Sequence, residues 1–401
     1  MREVVIVDAV RTPIGKYKGA LKSVRPDDLG AIVIKALLDR NPQLPPEQIE
    51  DVVFGNANQA GEDNRNVARM SALLAGLPVT VSGTTINRLC GSGLDAVIYA
   101  ARAIAVGEGD IYIAGGTESM TRAPYVMAKP EVDFPRGSME LHDTTIGWRF
   151  TNKKLEAMFG AESMPQTAEN VAKRYSITRE EQDLFAFQSQ MRAKKAIENE
   201  RFANEMVPVR FNDRKGNEIV VTKDEHPRPD TTLEKLAKLK PIFEGGTVTA
   251  GNASGVNDGA SALLLMSSDK ANELGLKPMA KYVVGAVAGL EPSVMGLGPI
   301  YATRKAFTRA NLTIEKIGLV ELNEAFASQS IECIKQLGMD QEKVNVNGGA
   351  IAFGHPLGAS GARILTTLVH EMKKRNVQYG LATMCIGVGQ GIAAIIENID
   401  N

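Results

Sequence analysis

Two stretches of this 401-residue chain, one toward each end, repeat each other at a constant offset of 268 residues. Glu47 matches Glu315, Ile49 matches Ile317, Val52 matches Val320, Ser92 matches Ser360, Gly93 matches Gly361 and Ala114 matches Ala382. The identities are few, but one shift holds across three separate elements. Such a repeat restricts the fold to two similar units with a different segment between them. Apolar runs at Val4 to Val7, Val52 to Phe54, Ile111 to Ala114, Tyr282 to Val287, Gly318 to Leu322 and Leu381 to Met384 predict short buried strands. Leu94, Val97, Ile98, Ala101, Ile104 and Ala105 mark one helical face, and Ile364, Leu365, Leu368, Val369 and Met372 another. Strands alternating with helices imply an α/β fold in layers.

The segment between the repeats differs in character. It carries Pro124, Pro130, Pro135, the only Trp (Trp148), a charged helix-like stretch from Arg179 to Phe202 and the loop Asp224-Glu-His-Pro-Arg-Pro-Asp230. The expected division is residues 1–120 as an N-terminal half, completed by about 250–276, residues 121–249 as a loop domain over the active site, and residues 277–401 as a C-terminal half. A net charge of −1 gives no general attraction to nucleic acid or to an anionic membrane. No apolar run approaches the roughly 18 residues of a membrane span, and Met1 to Asp8 resembles a first strand, not a secretory leader. Three Cys without a Cys-x-x-Cys pair, and no His-x-x-x-His spacing, argue against a disulfide scaffold and a metal site. A cytoplasmic, metal-free protein is expected.

Chemistry concentrates on glycine-rich bends: Asn87-Arg-Leu-Cys-Gly-Ser-Gly93, Leu322-Asn-Glu-Ala-Phe326, Gly354-His-Pro-Leu-Gly-Ala-Ser-Gly361 and Cys385-Ile-Gly-Val-Gly-Gln-Gly391. Two of three Cys and one of four His fall in them, so both halves contribute. Cys90 stands where strand-like Thr84 to Ile86 gives way to a helix, and the dipole there favours thiolate. A buried, inert thiol is the other reading. His355 is aimed by Pro356 and the flanking Gly354 and Gly358, and an imidazole of near-neutral pKa suits proton transfer with a thiol. A turn His bonded to its own loop is the alternative. Cys385 ends a strand, where a second thiol can act as acid or base at carbon, or simply pack. Asn323 can hold a water or carbonyl oxygen and Glu324 can orient a neighbour, although Asn is also a common turn residue. Ser254, in Thr249-Ala-Gly-Asn-Ala-Ser-Gly255, suits an amide-containing ligand or a plain turn. Arg228 suits a phosphate or solvent. Cys333 is expected in packing, and His142 and His370 in structural or surface roles. The glycines form no dinucleotide fingerprint, which argues against an oxidoreductase.

Taken in order, Val10-Arg-Thr-Pro-Ile-Gly15, Asn87 to Gly93, Ala114-Gly-Gly-Thr-Glu-Ser-Met120, Thr249 to Gly255, Asn323 to Phe326, Asn347-Gly-Gly-Ala350, Gly354 to Pro356 and Cys385-Ile-Gly387 resemble the motifs of the thiolase family. The resemblance spans the whole chain and implies a thiolase-like fold, two duplicated α/β halves in a layered αβαβα core with an inserted loop domain. It implies Cys90 as the acyl-accepting nucleophile, His355 as its base and Cys385 as acid/base at the substrate α-carbon. Asn323 would hold a water that forms one oxyanion hole with His355; the amides of Cys90 and Gly387 would form the other. Ser254 resembles a pantetheine contact, Met164 and Met295 resemble residues near the substrate, and Arg228 a contact to the CoA nucleotide. CoA and acyl-CoA would be substrates with no separate cofactor, and the protein a homodimer or homotetramer.

Acetoacetyl-CoA members of the biosynthetic group carry His-Met-Gly where this chain has Ser163-Met-Pro165. Asn58 to Arg69 and His142 to Phe150 resemble 3-oxoadipyl-CoA thiolases, whereas Asp224 to Arg228 also resembles acetoacetyl-type members. The expectation is a degradative 3-ketoacyl-CoA thiolase, with 3-oxoadipyl-CoA the first substrate to try and an acetoacetyl-CoA thiolase as the alternative. A non-catalytic acyl-CoA-binding relative and a decarboxylating ketoacyl synthase are the remaining rivals. The first conflicts with the intact catalytic positions, the second with Cys at position 385.

Overall fold

The computed structural model describes residues 1–399. Nine strands carry the architecture: β1 (Val4–Arg11), β2 (Asp51–Gly55), β3 (Ser82–Ile86), β4 (Ile111–Ser119), β5 (Asn257–Ser267), β6 (Ala280–Gly289), β7 (Ile317–Leu322), β8 (Tyr379–Ile386) and β9 (Gln390–Asn398). Their order is β7-β8-β9-β6-β1-β5-β4-β2-β3, with the two-residue strand Gly15–Lys16 paired to β5. The two halves meet where β1 and β6 pair antiparallel through Val5–Lys281 and Ile6–Ala280. Across that junction β2 corresponds to β7, β4 to β8, β5 to β9 and β1 to β6. The offset of 268 falls on these equivalences: the turns Pro46–Gln48 and Ile314–Lys316 precede β2 and β7, and Ala114 and Ala382 lie in β4 and β8. The duplication read from six identities is a duplication of structure.

The strands alternate with a period of two, and both faces are apolar. Val4, Ile6, Val53, Leu263, Leu265, Ile392, Ala394 and Ile396 face one cluster, built around helices α2 (Ser92–Val106) and α7 (Leu357–Arg375). Val5, Val7, Val52, Phe54 and Leu264 face the other way, onto α1 (Pro26–Arg40) and the short helix Val67–Leu74. In the second half Val320, Leu322, Ala393 and Ile395 face α5 (Gly298–Ala310) and α6 (Ala327–Leu337). Helices outside, half-sheet, α2 with α7, half-sheet, helices outside: this is the expected αβαβα stack, driven by burial on both faces of each half-sheet. At the crossing of α2 and α7 the repeated glycines remove side-chain bulk. A Cβ on Gly93 would lie 2.7 Å from the Gly358 carbonyl oxygen, and one on Gly361 2.3 Å from the Leu94 nitrogen.

Two expectations need correction. Leu89–Val106 does have the length and composition of a membrane span. It is instead the core of the fold, with Leu94, Val97, Ile98, Ala101 and Ile104 fully buried. Second, β5 and β9 were not anticipated. β5 opens with Asn257-Asp-Gly, a turn-like sequence, yet all eleven residues are buried; flanking strands supply the ladder that local propensity would not.

Residues 121–249 add no strand to the large sheet. They form α3 (Met164–Tyr175), α4 (Arg179–Glu198) and two small ribbons, Tyr125–Val126 with His142–Asp143 and Val209–Asn212 with Glu218–Val221. A capping box of Thr178 and Glu181 starts α4. A buried ionic clasp ties the segment to β1: Arg11 donates to Glu205 at 2.6 Å and to both oxygens of Asp224 at 2.7 and 3.0 Å. Asp224 also accepts the Ile14 amide at 2.8 Å, which ties the Arg11 to Ile14 segment to the Asp224 loop.

Candidate active site

Cys90 lies between β3 and α2 in a bend where Leu89 takes a positive φ of 47°. A branched side chain rarely adopts that conformation, so the surroundings must enforce it. They do: Asn87 Oδ1 accepts the Leu89 amide at 2.9 Å, while Ser92 Oγ accepts the Arg88 amide at 2.9 Å and donates to the Leu89 carbonyl at 2.6 Å. Arg88 is fixed by Asp95 at 2.8 Å. The half-buried thiol receives the Gly387 amide hydrogen, from the bend after β8. The helix start alone predicts a thiolate. Burial instead pushes Cys90 up to about 11, with the Gly387 amide and its own amide opposing. The dipole loses to desolvation, and the resting thiol is protonated.

His355 comes from the other half, just before α7. Gly354 has a φ of 98°, and a Cβ there would strike the Asn257 side chain at 2.2 Å, so only glycine fits. Asn257 Oδ1 accepts the His355 amide at 3.0 Å, and its Nδ2 donates to the Gly15 carbonyl at 2.9 Å. The ring's Nδ1 lies 2.6 Å from Ser360 Oγ, whose own hydrogen goes to the Pro356 carbonyl at 2.9 Å. Ser360 must therefore accept, which places the imidazole proton on Nδ1 and a lone pair on Nε2. Nε2 is buried and has no partner among the described residues. Burial, aided by Arg363, lowers His355 to about 3. Burial moves the ring away from the near-neutral value expected from sequence; it rests as a neutral base with one tautomer.

Cys385 ends β8, buried among Met295, Ala325, Phe326 and Ala253, with half-buried Met164 packed alongside. Its sulfur lies 3.8 Å from Gln329 Oε1. Burial first, and the neighbouring Cys90 second, raise its pKa strongly, so it too is a thiol. Asn323 follows β7 with its amide bonded to the Thr383 carbonyl at 3.0 Å. Its side-chain oxygen and nitrogen are buried and bond to no described residue. Glu324 is an orienting group: it accepts from Ser189 Oγ at 2.7 Å, Asn345 Nδ2 at 2.8 Å and the Ile351 amide at 3.1 Å, pinning the turn that leads to His355.

A cleft of about 210 Å³ opens onto Cys90, with Met164 and Gly387 in its wall. Glu118, at the end of β4, lines it and was not singled out from sequence. Its carboxylate accepts the Ala57 and Gly358 amides at 2.8 Å each and the Asn58 amide at 3.2 Å, and burial pushes it up to about 7. Thus it joins the β2 turn to the start of α7, beside His355. Met295 packs with Cys385 and not in the cleft wall. Ser254 bonds through its amide to the Ala325 carbonyl at 2.9 Å, next to the Asn323 bend. Arg228 is exposed and does not line the cleft; its amide donates to Gln190. His226, in the same loop, is half-buried, 3.4 Å from Asn257 and lowered to about 4 mainly by burial. Cys333 packs within α6, and His370 bonds to the Ala9 carbonyl at 2.8 Å. Ser360 and Asn257 are positioning residues; in the sequence Ser360 stands in the Gly354 to Gly361 bend and matches Ser92, whereas no local signal marks Asn257.

Two thiols, one tautomer-fixed imidazole and an unpaired buried amide, from both halves of a duplicated fold, can accept and release an acyl group. Family models for the thiolase N-terminal and C-terminal domains match residues 4–269 and 276–398. The chain belongs to the thiolase family. It is an acyltransferase by that membership, and it has the thiolase fold. Over 402 aligned residues, covering all of both chains, it is 58% identical to the 3-oxoadipyl-CoA/3-oxo-5,6-dehydrosuberyl-CoA thiolase of Escherichia coli K12. It is 56% identical, again over both full lengths, to a beta-ketoadipyl-CoA thiolase of Acinetobacter baylyi. Among solved structures, Bacillus anthracis acetyl-CoA acetyltransferase superposes with a TM-score of 0.92 at 43% identity, covering 100% of this chain and 99% of that one.

Proposed function

We propose that this thiolase cleaves 3-oxoadipyl-CoA with CoA to give acetyl-CoA and succinyl-CoA. The observation that carries the reaction type is the Cys90 thiol beneath the Gly387 amide, in a site that also holds a proton-free His355 Nε2. Full-length identity to thiolases named for this substrate supports the acyl chain. Cys90 sulfur attacks the 3-keto carbon while its proton passes to His355 Nε2. Negative charge collects on the keto oxygen, and the Cys90 and Gly387 amides, which face the resting sulfur, are assigned to receive it. As the C2–C3 bond breaks, its electron pair moves to C2 and Cys385 delivers a proton there, releasing acetyl-CoA. CoA thiol then gives its proton to the Cys385 thiolate and attacks the acyl-Cys90 carbonyl, while the proton held on His355 returns to the departing Cys90 sulfur. The buried, unpaired Asn323 amide suits a water that shares the thioester oxyanion with His355. Because all three titrating groups rest neutral, charge appears only with the substrate in place. CoA and acyl-CoA are substrates, and Ser254 and Arg228 are assigned to the CoA arm.

The test is CoA-dependent cleavage of 3-oxoadipyl-CoA, acetoacetyl-CoA and 3-oxooctanoyl-CoA, with Cys90→Ala as control. The expected result is the highest kcat/KM for 3-oxoadipyl-CoA and a thioester on the Cys90 peptide by mass spectrometry. A lead for either other substrate overturns the acyl-chain assignment. Absence of acylation overturns the mechanism.

A further inference from the structure

We propose that Arg149 anchors the distal carboxylate of the acyl chain and so sets the preference for a dicarboxylic substrate. The inference deepens the thiolase reading above and rests on it. In 3-oxoadipyl-CoA the carbon attacked by Cys90 is separated from the far carboxylate by three carbon–carbon bonds. A site selective for that group needs a cation within the compact cleft that opens onto the sulfur. Among the described residues, Arg149 is the one cationic side chain lining that cleft. It is half-buried and, among the described residues, takes part in no hydrogen bond or ion pair.

The wall that carries Arg149 is held at both ends. Asn58 Nδ2 donates to the Thr144 carbonyl at 2.9 Å, and Thr144 Oγ1 donates to the Pro124 carbonyl at 2.7 Å. Trp148 Nε1 donates to the Glu162 carbonyl at 3.2 Å. The guanidinium therefore projects from a braced segment, which lowers the ordering cost of gripping a carboxylate in two parallel bonds. Glu118, the one acidic group in the lining, does not compete. Its oxygens are engaged by three backbone amides, and its burial keeps much of it protonated near neutral pH. Ser254 and Arg228 lie outside this cleft, leaving its polar wall to the acyl part of the substrate.

Arg149→Gln and Arg149→Lys are to be compared with wild type on 3-oxoadipyl-CoA and on 3-oxohexanoyl-CoA, its uncharged counterpart of equal length. Loss of a charged hydrogen-bond partner predicts a roughly 10- to 100-fold lower kcat/KM for 3-oxoadipyl-CoA in Arg149→Gln, expressed mainly in KM. Turnover of 3-oxohexanoyl-CoA should change less than about 3-fold, which also reports correct folding, and Arg149→Lys should recover part of the loss. Equal losses on both substrates, or none, overturn the assignment. So does a raised KM for CoA with both substrates, which would move Arg149 to the CoA phosphates. Wild type that cleaves 3-oxohexanoyl-CoA but not 3-oxoadipyl-CoA would overturn the proposed substrate itself, a failure distinct from loss of discrimination in the variants.

Discussion

Replacing Glu118 by Gln should remove a pH-dependent weakness from the folded state. The unfolded chain loses the Glu118 proton near the ordinary value of 4.5, the folded chain only near 7, because burial disfavours the carboxylate. Between those values the folded protein binds more protons than the unfolded one, so stability falls as pH rises and levels off above 7. A shift of about 2.5 pH units corresponds to about 3 kcal/mol when fully expressed. Between pH 5 and pH 8 about 2.5 kcal/mol of it develops, since the unfolded group is already mostly ionised at pH 5. Gln does not titrate. Its amide nitrogen would meet the Asn58 amide or the Asn56 side chain, a cost that is independent of pH. The measurement is urea unfolding of both proteins at pH 5 and pH 8. The stability difference, variant minus wild type, should shift in favour of the variant by about 2.5 kcal/mol. Glu321, also pushed up by burial to about 8, contributes equally to both chains and cancels. Parallel pH profiles would refute the claim that Glu118 is held protonated by the fold.

Ser360→Ala removes the acceptor that fixes the His355 proton on Nδ1; kcat should fall roughly 10- to 100-fold with KM within about 2-fold, and an unchanged kcat would show that the tautomer is set elsewhere. Asn323→Ala deletes a buried amide with no described protein partner, so urea unfolding should show equal or greater stability while kcat drops about 100-fold; loss of stability would mean that Asn323 is a structural residue. Gly361→Ala forces a Cβ to 2.3 Å from the Leu94 nitrogen and should cost about 1–3 kcal/mol in unfolding free energy; a neutral result would mean that α2 and α7 can separate freely.

The site could be read from sequence because its groups are scarce residue types on glycine-rich bends, and glycine marks where the backbone bends or crowds. Cys90, His355, Cys385 and Asn323 were all visible on that basis. Their ionisation was not, because it depends on burial that only the assembled layers create. Glu118 was hidden for a related reason: its partner Gly358 lies 240 residues away, and a lone acid inside Gly-Gly-Thr-Glu-Ser carries no local sign of such a contact. Asn257 was lost in a stretch that looks like a turn and folds as the start of β5. Arg149 alternates with Ile146, Trp148 and Phe150, a period of two that reads as a strand, yet the segment forms none and those three side chains stay exposed, so its face was undefined until the cleft formed. The architecture was accessible through the repeat, since one offset ties both halves to one pattern.

The contact between α2 and α7 has a consequence for how activity arises in a growing chain. The nucleophile is synthesised within the first hundred residues, but the imidazole that takes its proton, the second thiol and the amide of Gly387 all belong to the last fifty. Helix α2 has its full packing only with α7 against it, backbone to backbone at Gly93 and Gly361. A nascent or truncated chain that stops short of α7 carries Cys90 without its base and cannot be acylated by the same route. Catalytic competence is thereby coupled to completion of the fold, and acylation of Cys90 serves as a chemical reporter that both halves have docked.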